Sequence, residues 1–215
     1  MEDVIAPISK ELLKAELTEE KRLRMTNRSH NQIYIITAQD SPNTMKEIGR
    51  LREIAFRAAG GGTGKSMDID EYDIMDNPYK QLIVWNPEAE EILGGYRYIL
   101  GTDVRFDEHG APILATAHMF NFSDKFLKDY LPTTIELGRS FVTLEYQSTR
   151  ADSKGLFALD NRVGATLTLF PVLDSHAIVY HILDIATVFG QSQSFSFCII
   201  FHSLHFVYRE DRYIN

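Results

Sequence analysis

The sequence predicts an α/β fold, a sheet of several antiparallel strands with helices packed on it, and three observations predict it. Gln32 to Thr37, QIYIIT, is a β-branched run followed by apolar residues at helical spacing, Ile48, Leu51, Ala55 and Ala58. Gln81 to Trp85 and Ile92 to Leu100 are two apolar runs joined through Asn86 and Pro87, which reads as an antiparallel hairpin. Ile135 to Leu144 is a further strand that leads through the polar turn Glu145 to Ser153 into a helix from Lys154.

The elements follow in order. Glu2 to His30 alternates acids and bases around Leu12, Leu13, Leu17 and Leu23, an amphipathic arm (1–30) with a basic end at Lys21, Arg22, Arg24 and Arg28. Asp40, Ser41 and Pro42 end the first strand, with Ser41 placed to cap the helix and Pro42 in its first turn. Gly60, Gly61 and Gly62 stop that helix. Ile113 to Phe122 reads as another strand, and Ser123 as the cap of a short helix, Asp124 to Tyr130.

Composition bounds the function. The formal charge of -8, from 30 acidic and 22 basic residues, argues against a nucleic-acid partner, whose phosphates need a basic surface. The single cysteine, Cys198, forms no internal disulfide, and no Cys/His cluster has zinc-ligand spacing, so no metal is expected. The first 25 residues begin acidic and never become a continuous apolar stretch, which predicts neither a leader nor a membrane span and hence a cytoplasmic chain.

The loudest motif is Ala59-Gly60-Gly61-Gly62-Thr63-Gly64-Lys65-Ser66, which has a phosphate-loop pattern except for its first residue. A phosphate cradle needs a strand before it and a helix after it. Here a helix precedes, and the acidic Asp68-Ile69-Asp70-Glu71-Tyr72-Asp73 follows, so a plain glycine-rich loop is the better reading. More informative are charges set within apolar segments: Arg52 on the helix, Asp68, Asp70 and Asp73 after it, Arg97 in ILGGYRYIL, and Glu136 with Arg139 in TIELGRSFV. Such charges need a partner or a function when buried, so a salt-bridge network and a reaction site both remain open. Alternation would put Glu136 and Arg139 on opposite faces, unless Gly138 marks a β-bulge that turns both to one side.

Taken together, LREIAFRAAGG, DIDEYD, QLIVW, EILGGYRYILG and TIELGRSFVTLEYQSTR resemble the acyl-carrier-dependent N-acyltransferases of ornithine-lipid and glycine-lipid synthesis, often labelled hemolysin-like, within the GNAT superfamily. The layout of a helix arginine, spaced acids, a strand arginine and Glu-x-x-Arg is also similar to that of acyl-homoserine-lactone synthases. The resemblance covers residues 5–161 and implies a GNAT-like mixed, mostly antiparallel sheet flanked by helices, a domain at 31–161, and an enzyme. It further implies that Gly138 and its neighbours Ser140, Phe141 and Val142 line a gap between splayed strands where an acyl thioester lies. Glu136 would be the base that deprotonates the amine, directly or through water. Arg139 and Arg97 would orient the acids or hold the substrate carboxylate, Asp70 or Asp73 would touch the amino substrate, and Arg52 and Asp68 would belong to the same substrate-binding set.

By the same resemblance the turn 147–155 holds the pantetheine phosphate, with Arg150, Lys154 and Gly155 at a helix start. The glycine spacing usual for coenzyme A is missing there, which favours acyl carrier protein over acyl-CoA as donor, with no cofactor resident. An acidic carrier would meet Arg22, Arg24, Arg28, Arg150 and Lys154. A small amino acid, glycine or ornithine, would be the acceptor, with peripheral contact at the inner face of a membrane. The alternatives are an acyl-homoserine-lactone-synthase-like enzyme and an inactive acyl-binding domain. After Asn161 the text changes: residues 162–215 hold 7 charged residues in 54 and no lysine. Family members continue Leu-Asp-Asn with Leu-Trp-Asp. One inserted base turns those codons into Arg162-Val163-Gly164, so this segment reads as atypical and frameshifted, which would remove the second half of the acyl tunnel.

Overall fold

The computed structural model describes residues 1–26 and 30–147, together with the backbone of a strand at Ile178–His181. Its centre is a sheet of six described strands in the order β1-β2-β3-β4-β5-β6. These are β1 (Arg22–Met25), β2 (Gln32–Ile36), β3 (Lys80–Asn86), β4 (Glu91–Leu100), β5 (Thr134–Val142) and β6 (Ile178–His181). Neighbours from β1 to β5 are antiparallel, while β5 and β6 are parallel from Thr134↔Ile178 to Leu137↔His181. The sheet is therefore mixed and mostly antiparallel, as the resemblance implies.

The N-terminal arm is part of this body. Its helix α1 (Lys10–Glu16) buries Leu13, and Leu17 follows it into the core that α2 (Pro42–Ala58) makes with the sheet. Met45, Ile48, Leu51, Ala55 and Phe56 of α2 recur at helical spacing and meet Tyr34, Ile36, Ile83, Trp85, Ile92 and Phe141. Each such large side chain contributes about 1.5–3 kcal/mol on burial. The other sheet face carries a second cluster with Ile33, Leu82, Val84, Leu93, Tyr96, Tyr98, Ile135 and Leu137.

Both ends of α2 are closed, one of them differently from expectation. Ser41 makes no cap bond to the helix; its hydroxyl donates to Asp40 instead. The cap comes from Glu16, 27 and 28 positions upstream, whose carboxylate accepts the amides of Asn43 at 3.0 Å and Thr44 at 2.7 Å. A carboxylate outcompetes a serine hydroxyl here because it adds full charge to the positive end of the helix. At the other end Gly60, at φ 82°, donates to Arg57 and Gly61 to Phe56, the paired bonds of a Schellman motif.

The hairpin β3–β4 forms where expected, with Asn86 Oδ1 accepting the amides of Glu88 and Ala89 in its turn. Gly94 and Gly95 let the neighbouring strands close in: a Cβ on Gly95 would lie 2.4 Å from the Leu82 carbonyl oxygen. Ile113 to Phe122 is not a strand. Its first residue bonds to Arg105 next to the isolated bridge Phe106↔Pro112, and Ala115–His118 then winds into a 3-10 turn over the cluster Tyr72, Tyr79, Ile99, Val104, Leu114, Phe126 and Leu131. Ser123 does cap the helical turns after it, accepting from the Phe126 amide at 3.2 Å. The turn from Glu145 is described only to Gln147, so the helix expected from Lys154 lies outside the described residues. Among the described residues no helix is long and apolar enough to cross a membrane.

Candidate active site

The glycine-rich loop is closed by the protein itself. Glu53, fully buried on α2, accepts the amides of Thr63 at 3.0 Å and Gly64 at 2.8 Å, and the Thr63 hydroxyl at 2.7 Å. Arg57 adds a charged bond at 2.7 Å. Burial would raise the Glu53 carboxyl, but Thr63, Arg57 and Gly64 outweigh it and hold it low. The donors that a phosphate would need are thus already occupied by a carboxylate.

Beyond the loop, the spaced charges converge on the face of the sheet that α2 covers. Asp70 caps the short helix α3 (Glu71–Ile74) by accepting the Tyr72 amide, and Asp73 reaches back to the Asp70 amide, a capping box that fixes both carboxylates. Asp73 then serves two cations: Arg52 at 3.2 Å and Arg97 at 3.3 Å. Arg97 also reaches Asp70 at 2.6 Å, and Arg139 lies 3.4 Å from both Asp68 and Asp70. Gln81 bridges the group, accepting from Arg52 and donating to Asp73. Three arginines thereby meet three aspartates, which makes their burial tolerable.

The titration of these groups follows from their surroundings. Burial alone would raise Asp73, yet Arg52 and Arg97 overcome it and keep the carboxyl below its ordinary range. For Asp68 burial wins over Arg139 and Arg52, and its pKa is raised. Burial lowers Arg52 despite Asp73, whereas Asp73 and Asp70 outweigh burial at Arg97 and raise it.

Glu136 sits on the same face but does not pair with Arg139. It is 6% exposed and accepts the Thr116 hydroxyl at 3.1 Å. Tyr79 Oη accepts the Ala115 amide at 2.9 Å. Burial raises the Glu136 carboxyl, and the neighbouring hydroxyls of Tyr79 and Thr116 only partly offset this. The tyrosines also frame Arg97, whose guanidinium lies 5.1 Å from the Tyr79 ring centre and 5.6 Å from that of Tyr72.

The bulge that brings Glu136 and Arg139 to one side is present. Between Gly95↔Phe141 and Arg97↔Gly138, β5 carries one residue more than β4. The residue in the left-handed region is Arg139, at φ 50°, and not Gly138. An arginine there costs strain of about 1–3 kcal/mol, and its two aspartate contacts offset that cost. Gly138 faces Arg97, where an added Cβ would lie 3.6 Å from Nε. That Nε has no hydrogen-bond partner among the described residues. The last described pair of β5 and β6, Leu137↔His181, precedes the bulge.

Of the remaining expected residues, Ser140 is buried with its hydroxyl unpartnered among the described residues. Val142 is also buried, and Phe141 packs into the α2 core, so its side chain lines no open gap. Arg150, Lys154, Gly155 and the segment 162–215 read as frameshifted lie outside the described side chains. The sequence reading missed Gln81, Tyr72, Tyr79 and Thr116. Gln81 had a signal, a polar residue opening the apolar run QLIVW, whereas Thr116 lies in a loop 20 positions from Glu136 and had none. Among the described residues no group of three or more metal-ligating side chains occurs.

Beside this geometry stands a likeness in sequence: residues 51–154 match the acetyltransferase (GNAT) domain family. More particular likeness comes from two curated relatives. The glycine N(alpha)-acyltransferase of Phocaeicola vulgatus is 83% identical over 161 residues, which cover 75% of this chain and 49% of that protein. The glycine N(alpha)-acyltransferase of Bacteroides thetaiotaomicron is 79% identical over 174 residues, 80% of this chain and 52% of that protein. The chain thus spans about half the length of the curated relatives it matches. No solved structure matches it.

Proposed function

We propose that this chain carries an N-acyltransferase site that moves a fatty acyl group, such as a 3-hydroxy fatty acyl group, from a carrier thioester to the amine of glycine. The observation that carries this reading is Glu136, a buried carboxylate with a raised pKa, next to the bulge of β5 and the arginine cluster. The names of both relatives favour glycine over ornithine and over a homoserine-lactone product.

In this mechanism Glu136 takes a proton from the ammonium form of glycine, and the freed amine attacks the thioester carbonyl. A C–N bond forms, the C–S bond breaks, the proton held by Glu136 passes to the departing thiolate, and the second proton of the attacking nitrogen leaves to solvent as the amide forms. A carboxylate is suited to this shuttle when its pKa is lifted toward that of its partners, which burial does here. Arg97 Nε, unpartnered beside Gly138, is a donor of the right charge for the carboxylate of glycine. Arg52, Asp73 and Gln81 hold Arg97 in place, and Asp68, Asp70 and Arg139 shape the rest of the wall. The hemolysin-like aminolipid lineage, an acyl-carrier-protein donor and a cytoplasmic site at the inner membrane face belong to the same reading.

The test is expression of the full chain with fatty acyl carrier protein or acyl-CoA, offered glycine and ornithine separately. N-acylglycine detected by mass spectrometry, and lost in Glu136→Gln, is the expected result. Absence of any N-acyl amino acid with both donors would overturn the proposal.

A further inference from the structure

The 3-10 turn Ala115–His118 plays no part in the chemistry above, yet it grips the groups that do. The Ala115 amide donates to Tyr79 Oη at 2.9 Å, Thr116 Oγ1 to Glu136 Oε2 at 3.1 Å, and His118 Nε2 lies 2.7 Å from Tyr72 Oη. The three groups so held surround Arg97: the rings of Tyr79 and Tyr72 flank its guanidinium, and Glu136 faces it electrostatically. The turn is anchored in its own right. Leu114 is buried against Tyr72 and Tyr79, and the Met119 and Phe120 amides both return to the Thr116 carbonyl, at 2.9 and 3.0 Å.

A glutamate on a strand fixes its backbone position but not the rotation of its carboxylate, whose last torsion is broad. A donor from a separate anchored element removes that freedom, and an ionised carboxylate can only accept, so the Thr116 proton must point to it. Resting on the assignment of Glu136 as the base, we propose that Thr116 is its positioning residue: the hydroxyl pins Oε2 so that the remaining lone pairs of the carboxylate face the incoming amine. Thr116 touches no reacting atom and acts through Glu136.

The experiment uses the full chain with Thr116→Val, which keeps the shape and removes the donor, and Thr116→Ser, which keeps the donor. Glu136 is titrated by carboxyl-carbon NMR, and acyl transfer from fatty acyl carrier protein to glycine is measured in parallel. Because the hydroxyl bond favours the charged carboxylate, the valine variant titrates at higher pH than the parent and the serine variant stays with the parent. In turnover, kcat falls about ten-fold in the valine variant with KM for glycine unchanged, and serine restores it. An unmoved midpoint in Thr116→Val overturns the proposal, with or without turnover. So does a moved midpoint with parental kcat. Glu136→Gln at full rate sinks the base assignment itself and the proposal with it, which keeps the two failures distinguishable.

Discussion

Arg52 Nη1 lies 3.2 Å from Asp73 Oδ2, and neither side chain has any solvent exposure. The pair forms the floor of the candidate site, because Asp73 passes the same carboxylate to Arg97. A charge this deep holds only while its partner is present. Replacement of Arg52 by leucine therefore costs about 3–5 kcal/mol of stability, the usual penalty for stranding a buried charge. Urea unfolding of the variant reads this directly, and a midpoint equal to that of the parent would show the pair to be dispensable.

Glu53 and the glycine-rich loop give a second expectation. With Glu53→Ala the amides of Thr63 and Gly64 lose their acceptor, so their hydrogen exchange accelerates while exchange in β3 and β4 is unchanged. Equal protection of the two amides in both proteins would show that the loop holds itself. ATP is expected to leave the thermal melt of the parent chain unchanged, since Glu53 already takes the Thr63 and Gly64 amides.

The pH dependence of transfer has a defined sign. Glu136 must be ionised to accept the amine proton, and burial raises its pKa. The acid limb of kcat/KM therefore falls above the ordinary glutamate value of about 4.3. The same shift makes the ionised form a stability cost: its contribution to stability is complete below the unfolded value and is lost as pH rises through the folded one. A limb at or below the ordinary value would contradict the burial of Glu136.

Acid unfolding is governed by groups shifted the other way. Glu16, Glu53 and Asp73 all have lowered pKa values, so their stabilisation is present above their unfolded values, about 3.9 to 4.3, and is lost as pH falls through the folded ones. Glu16→Ala removes the cap of α2, costs about 1 kcal/mol at neutral pH, and flattens the acid limb of the stability curve. Circular dichroism melts from neutral to acid pH measure both effects.

The sequence by itself determined the strands β2 to β5, the span of α2 and its glycine stop, because period, turn residues and backbone freedom are local properties. It also fixed which charges had to be reconciled, since Arg52, Arg97 and Glu136 stand within apolar runs and must find partners when buried. Only the tertiary structure decided who those partners are. Asp73 joins Arg52 to Arg97, Glu16 replaces Ser41 as the cap of α2, Glu53 fills the glycine loop, and Thr116 holds Glu136 in place of Arg139. Each of these contacts spans at least 10 positions of chain, and a side chain's choice among distant partners is set by how the sheet and helices pack, which no local pattern encodes.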